Sequence, residues 1–291
     1  MQPPIIPGST YPKLATPATV GAVPVDRPID PSEGFASARD LPLVYFHGDT
    51  SPGNNPELYG HLIDNLAKMI DTRNATNAEA KASGSVVNTM GWTDGAGYKL
   101  LLRALDALKI TDVLVVGQER LHAELRRDFR GKTVVGTNHP IEVWKLPKSG
   151  GVVERSPAFR RASRDAAVKA YFYGPEGDLS PSSTTVDFGK VSVFKIGSGP
   201  RAPSSALPIG QKTSADPLRL STVAPSMGLL NAVLAVSHGS TQREILNQNV
   251  AGFVYVTEVD MASGRFTYTA PAGGALPSRN LILGTLKWIE T

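Results

Sequence analysis

Arg160 and Arg164 stand four residues apart, so a helix through them presents two guanidinium groups on one face. Such a pair can clamp a transferring phosphoryl group, or simply sit solvated on a helix surface. Arg161 has Asp165 at the same spacing and is expected to pair with it. Thr89-Met90-Gly91-Trp92 directly follows a predicted strand, at the carboxyl end of a sheet, where open α/β sheets bind ligands. There Gly91 allows close backbone approach, and Trp92 offers a stacking face for a base or sugar; the alternative is a core tryptophan after a turn. The run Leu146-Pro147-Lys148-Ser149-Gly150-Gly151-Val152-Val153-Glu154-Arg155 also follows a strand. Lys148, Ser149 and Gly150 suit an anion-binding nest, a base-contacting edge or a plain turn, and spacing alone leaves all three open.

Other chemistries lack their residues. A phosphate loop needs G-x-x-x-x-G-K-[ST], whose amides and lysine wrap a triphosphate, and that string does not occur in the 291 residues. Gly95-Ala96-Gly97-Tyr98-Lys99-Leu100 has the wrong spacing for it and lacks the third glycine of a dinucleotide fingerprint; it reads as a tight turn into a helix. No G-x-S-x-G elbow is present, and no carboxylate pair stands out for glycoside hydrolysis. Cysteine is absent, and the five histidines fall at no metal-ligand spacing, so no metal site is expected.

The net charge of +4 is uneven: residues 120–169 hold twelve Lys/Arg against five acids. A concentrated basic region fits a phosphate-bearing partner, or a pair of solvated helices.

The elements that would position these residues alternate. Leu41–Phe46 is a strand candidate, and Leu58, Leu62, Leu66 and Met69 mark a helix over about 57–71. Ser85–Thr89 reads as a strand, Leu101, Ala104, Leu105 and Leu108 as one helix face, and Asp112–Gly117 as a strand apolar enough to be covered on both faces. A helix over about 119–129 follows, then shorter strands at Thr133–Val135 and Glu142–Leu146. Ser156-Pro157 opens a helix that runs to Tyr173 and stops at Gly174-Pro175. Beyond it, Val186, Val191, Val193, Ile196, Val250–Val256 and Phe266–Tyr268 read as strands, interrupted by an apolar helix candidate over about 227–236. The fold class expected is α/β: a parallel sheet wrapped by helices, then a smaller β-rich (α+β) C-terminal domain. Residues 1–40 form an extended lead-in, 41–175 the sheet-and-helix domain and 176–291 the C-terminal domain. No apolar run reaches the roughly 20 residues of a membrane span, and the first residues lack a secretory pattern, so a soluble intracellular protein is expected.

Several strings in order carry a resemblance: Pro42–Tyr45, Thr50–Asn55, Asn88–Trp92, Gln118–Leu121, Leu146–Arg155, Phe159–Arg161, Arg164-Asp165, Tyr171–Gly174 and Val250–Val254. Together they resemble the Clp-type branch of the polynucleotide 5′-hydroxyl kinase family, which includes a subunit of the nuclear pre-mRNA cleavage and polyadenylation machinery. The resemblance implies that the parallel sheet is an incomplete P-loop NTPase-like sheet, so that 41–175 is a partial P-loop kinase-like domain. On the same resemblance, Gln2–Ser9 follows the family's Walker-B-like strand, with the phosphate loop upstream of Met1. It implies that Thr89, Gly91 and Trp92 belong to a clasp on the RNA 5′ end, and that Arg160 and Arg164 are lid arginines. It also implies that Thr50 and Asn54 line the substrate side. Family cofactors would be ATP and Mg2+, used to transfer the γ-phosphate to an RNA 5′-hydroxyl. Family partners would be a scaffold subunit of cleavage factor, other subunits and RNA, in the nucleus. Without the phosphate loop, the chain is expected to be inactive alone; the rival expectation is an active RNA kinase of which these residues are a piece.

Overall fold

The computed structural model describes residues 16–25, 42–174, 177–197 and 216–290. The lead-in over 1–40 lies mostly outside the described residues, as do Gln2–Ser9. The chain divides into two compact units: residues 63–157, and residues 1–62 with 158–291.

The 63–157 unit is a small α/β layer. Helix α1 (Pro56–Thr76) contributes its second half, followed by α2 (Ala78–Ser83) and α3 (Ala96–Ala107). Strand β3 (Asp112–Val116), helix α4 (Glu119–Asp128) and strand β4 (Glu142–Leu146) complete it, with β3 and β4 pairing in parallel as the strand–helix–strand alternation requires. Leu101 and Leu105 of α3, with Leu125 and Phe129 at the end of α4, pack on Val115, and Val113 and Val143 join the same cluster. Arg103–Asp64 and Lys109–Asp71, each 2.7 Å, link α1 to α3 and to the residue just beyond it.

The other unit is built on a seven-stranded sheet of order β5-β10-β9-β8-β11-β6-β7. The strands are β5 (Ser182–Asp187), β6 (Ser192–Ile196), β7 (Leu220–Thr222), β8 (Ala232–Ser237), β9 (Val250–Asp260), β10 (Arg265–Ala270) and β11 (Asn280–Lys287). All neighbours are antiparallel except β11 and β6. Helix α5 (Pro157–Tyr173) places Val168, Tyr171 and Phe172 on one stripe, the i, i+3, i+4 spacing that buries a single helix face. That stripe packs on Val233, Ala235, Phe253, Tyr255 and Ile282, together with Val44 and Phe46 of β2 (Leu43–Phe46). Strand β2 pairs antiparallel with β1 (Thr19–Ala22). The Tyr171 hydroxyl accepts the Phe253 amide at 3.0 Å, and burial pushes that phenol well above its ordinary pKa.

A short helix, α6 (Gln242–Asn247), is closed by a capping box: Thr241 accepts the Glu244 amide, and the Glu244 carboxylate reaches back to Thr241. Hydrogen bonds from the Ser240 hydroxyl, then from the Ser240 and Thr241 amides, hold the Glu244 carboxyl down at about 2. A depressed carboxyl contributes stability above its unfolded value of about 4.3, lost as the pH falls towards the folded value. Glu244→Gln is therefore expected to flatten the acid limb of the unfolding profile between those two values. A pH series of thermal melts reads it directly.

An α/β region followed by a β-rich region is the expected order, although the C-terminal sheet is the larger of the two. Helices α1, α3, α4 and α5 form within a few residues of their predicted spans. Ser85–Thr89 forms no strand; it is exposed, with no ladder partner among the described residues, and a strand without a neighbour leaves its amides unpaired. Thr133–Val135 shrinks to one bridge, Thr133 with Pro140. The apolar helix expected over 227–236 is instead a 3-10 turn, Met227–Leu229, then β8, buried along its whole length at the middle of the sheet. A strand covered on both faces shows no alternation, which is why its apolar run mimics a helix. Strand β3 errs the other way: only Val115 is buried, and Leu114 and Val116 are exposed. Its helices cover one face, not two.

Candidate functional site

In the 63–157 unit, the Thr93 side chain and the Lys148 stem come against the residues just past β3. Gly95, at φ +55°, turns the chain into α3. Trp92 packs its carbonyl and indole against Gly97 so closely that a Cβ there would collide with both. The Gly95–Gly97 pair is thus a turn into a helix. Trp92 keeps 39% of its surface exposed, and Thr89 and Gly91 are exposed beside it in sequence. The Thr93 hydroxyl donates to the Gln118 side-chain carbonyl at 3.2 Å, which ties this segment to the residues just past β3.

Those residues carry groups that the sequence reading left without a role. Gly117, at φ +62°, has the Lys148 stem lying across it, and any side chain at 117 would displace that stem. The Gly117 amide donates to the Leu146 carbonyl at 2.9 Å, and Lys145 pairs with Glu119 at 2.6 Å. Ser149 turns inward: its hydroxyl accepts the Gly151 amide at 3.4 Å and its carbonyl accepts the Val152 amide at 3.2 Å. Two amides of this Gly-rich turn are therefore committed within it. A triphosphate needs several free, convergent amides, and the Lys148–Gly150 turn does not supply them by itself. The exposed part of the Trp92 indole is a surface of the kind that stacks on a base. Among the described residues, no group of three or more His, Asp or Glu is placed to hold a metal ion.

In the other unit, Thr50 and Asn54 are exposed on the loop after β2. Asn54 gives its side-chain amide to Asp49 at 2.8 Å, and the Ser51 amide donates to the same carboxylate at 2.8 Å. Partial burial works to raise the Asp49 carboxyl, but hydrogen bonds from Asn54, the Ser51 amide and Thr285, with His47 nearby, outweigh it and hold the pKa below the usual range. Arg160 is exposed and Arg164 half-buried in the first half of α5. The expected Arg161–Asp165 pair does not form: both side chains are exposed, and no ion pair among the described residues joins them. Exposed i, i+4 pairs gain only a few tenths of a kcal/mol, about 0.3–0.5, so solvation competes easily. In the basic window, Arg120–Glu124, Arg127–Asp128 and Lys145–Glu119 are paired, so part of its positive charge is neutralised locally.

Two family models divide almost the whole chain between them. The model described as mRNA cleavage and polyadenylation factor CLP1 P-loop matches residues 11–174, and the one described as pre-mRNA cleavage complex II protein Clp1 matches residues 179–290. The chain belongs to the Clp1 family. A Clp1 homologue of Arabidopsis thaliana is 44% identical over 279 residues, covering 96% of this chain and 61% of that protein. The Dictyostelium discoideum homologue is 40% identical, covering 95% and 59%. A human relative named polyribonucleotide 5′-hydroxyl-kinase Clp1 is 38% identical, covering 95% and 63%. The chain thus spans about three-fifths of the length of the curated Clp1 relatives it matches. A solved complex of Clp1p with a Pcf11p segment shares the fold at a TM-score of 0.77 and 21% identity, covering 98% of this chain and 66% of that one. A second Clp1p structure, concerned with the Pcf11p interface and with ATP loss in a point mutant, gives 0.76 and 22%. No described helix is long and apolar enough to cross a membrane.

Proposed function

We propose that this Clp1-family chain is a subunit of the nuclear mRNA 3′-end cleavage and polyadenylation machinery, acting through a scaffold subunit, other cleavage-factor subunits and RNA. The observation that carries the reading is the tandem match of the two Clp1 models, in order, over residues 11–174 and 179–290. Thr89, Gly91 and Trp92 hold the RNA 5′ end, with Trp92 supplying the stacking face. Lys148, Ser149 and Gly150 form a nucleotide-contacting edge. Thr50 and Asn54 line the substrate side, and Arg160 and Arg164 meet RNA phosphate. ATP and Mg2+ serve the family's phosphoryl transfer; no step of that transfer is assigned to these residues, because they form no cradle for the triphosphate.

Co-expression with a scaffold segment of the Pcf11p type tests the partner assignment. A stoichiometric complex through size exclusion is expected, and two separate peaks would refute it. Trp92→Ala tests the site: loss of one base–aromatic stack costs about 1–3 kcal/mol, so binding of a 5′-hydroxyl oligoribonucleotide should weaken about 5- to 150-fold in an anisotropy titration. Unchanged affinity would remove Trp92 from the site.

The human relative's kinase name favours a second reading, an active polynucleotide 5′-hydroxyl kinase of which these residues are a piece. Genomic DNA upstream of the Met1 codon separates the two: a G-x-x-x-x-G-K-[ST] in frame supports the second.

A further inference from the structure

His47 follows β2 directly and is buried, with 7% of its surface exposed. Its amide and that of Gly48 donate to the Ala18 carbonyl at 3.0 and 3.1 Å, which anchors the end of the strand. The ring then bridges the loop that follows. Nδ1 lies 3.0 Å from the Asp49 carbonyl oxygen, and Nε2 lies 3.1 Å from the Asn55 carbonyl oxygen. Both ring nitrogens therefore face atoms that can only accept. A neutral imidazole carries one N–H, so in either tautomer a bare nitrogen meets a carbonyl oxygen, lone pair against lone pair. Only the imidazolium donates at both positions.

The two carbonyls are the ends of one loop. Asp49 opens it, and its carboxylate accepts the Ser51 amide and the Asn54 side-chain amide, each at 2.8 Å. Asn55 closes it at the start of α1. Its side-chain oxygen accepts the Leu58 amide at 3.1 Å, as a helix cap does, and its side-chain amide donates to the Pro217 carbonyl at 2.8 Å. Thr50 and Asn54 lie between the two points that the ring holds. The charges around the ring suit a cation. Partial burial works to raise the Asp49 carboxyl, but hydrogen bonds from Asn54 and the Ser51 amide prevail, so it stays ionised beside His47. On α1, Tyr59 sets its ring at 6.1 Å and 80° to the imidazole, and burial raises its phenol, which keeps it neutral. Strands β1 and β11 meet this corner through Ala18 and Thr285, neither of which titrates. Histidine is the side chain that changes charge between about pH 5 and 8, so the ring is the group that switches in this cluster.

We propose that His47 is the positioning residue of the Asp49–Asn55 loop: as an imidazolium it holds Thr50 and Asn54 in place for RNA, and on losing one proton it lets the loop open. The sign follows from which form the folded loop binds. A ring held in its charged form contributes its contacts at low pH and loses them as the pH rises through its titration in the folded chain. Loop order and RNA affinity therefore fall together towards higher pH. The RNA half rests on the placement of Thr50 and Asn54 on the substrate side, given under the proposed function. The loop half can be followed with no RNA present.

Nitrogen-15 NMR of the histidine rings in the full 291-residue chain, from about pH 5 to about pH 8, tests it. At the acid end both His47 ring nitrogens should carry protons. Exchange of the Asn54, Asn55 and Leu58 amides, corrected for its intrinsic pH dependence, should speed up about tenfold or more as the ring loses one, the size of a hydrogen bond to a charged group. Affinity for a 5′-hydroxyl oligoribonucleotide should fall over the same interval. His47→Phe keeps a ring beside Tyr59 but no donor, so its loop amides should exchange fast at every pH. Its RNA affinity should lose the step that belongs to His47, which separates that step from any due to the other histidines. A bare His47 nitrogen at the acid end overturns the proposal, and so does loop protection that ignores the ring's proton. A loop that opens with the proton while RNA affinity holds constant overturns the RNA half and, with it, the substrate-side placement of Thr50 and Asn54.

Discussion

Incubated with labelled ATP, magnesium and a 5′-hydroxyl oligoribonucleotide, the purified 291-residue chain is expected to transfer no label above background. Phosphoryl transfer asks a protein for positioning and for charge stabilisation, and little else. A single phosphate-clamping side chain is worth about a thousandfold or more in rate, and here the whole G-x-x-x-x-G-K-[ST] loop is absent from the sequence. The Gly-rich turns that remain are committed elsewhere. Gly97 seats Trp92, Gly117 lies under the Lys148 stem, and the Gly151 and Val152 amides bond to Ser149. Arg160 and Arg164 supply positive charge, but with no triphosphate held in place they have no γ-phosphate to stabilise. Transfer of label that depends on the chain's concentration would show that other donors hold ATP.

The largest stability effect is expected at Phe172. It is fully buried on α5, stacked on Trp288 at 6.2 Å and an interplanar angle of 13°, and set edge-on to Tyr171 at 5.1 Å. Tyr255 lies 6.2 Å away on the sheet. Removing such a ring forfeits its transfer free energy and leaves a cavity that rigid neighbours cannot refill, about 3–5 kcal/mol for Phe→Ala. Phe172→Ala should lower the unfolding free energy by that amount, read as a lower urea midpoint at an unchanged slope. Tyr171→Phe, which leaves the Phe253 amide without its acceptor, should cost less, about 1–3 kcal/mol. If Phe172→Ala were neutral, α5 would not be anchored as described.

The parts of the fold that were legible in the sequence are those with a period or with a run rich in valine and aromatic residues. Helix α5 shows its buried stripe at Val168, Tyr171 and Phe172 and its end at Gly174, and β9 and β10 show in their apolar runs. Strand β8 was not legible, because burial on both faces erases alternation. The Ser85–Thr89 run has strand chemistry but no strand, since pairing is a property of the neighbour and not of the segment. Strand β11 was missed altogether; its Gly284 is where the backbone comes against Gly48. In the candidate site, Trp92 and Lys148 stood out by type and position. The engagement of Asn54 with Asp49, and of Thr93 with Gln118, depends on contacts that spacing does not encode. Gln118 and Glu119 could have been flagged by one signal, their place directly after a parallel strand.

Isothermal titration of Mg·ATP into the purified chain tests the central claim most directly, that these residues contain no seat for a triphosphate. No saturable heat is predicted up to about 1 mM, the range where binding is worth only about 4 kcal/mol. A one-to-one isotherm with a Kd in the micromolar range, on the unmodified 291-residue chain, would contradict it.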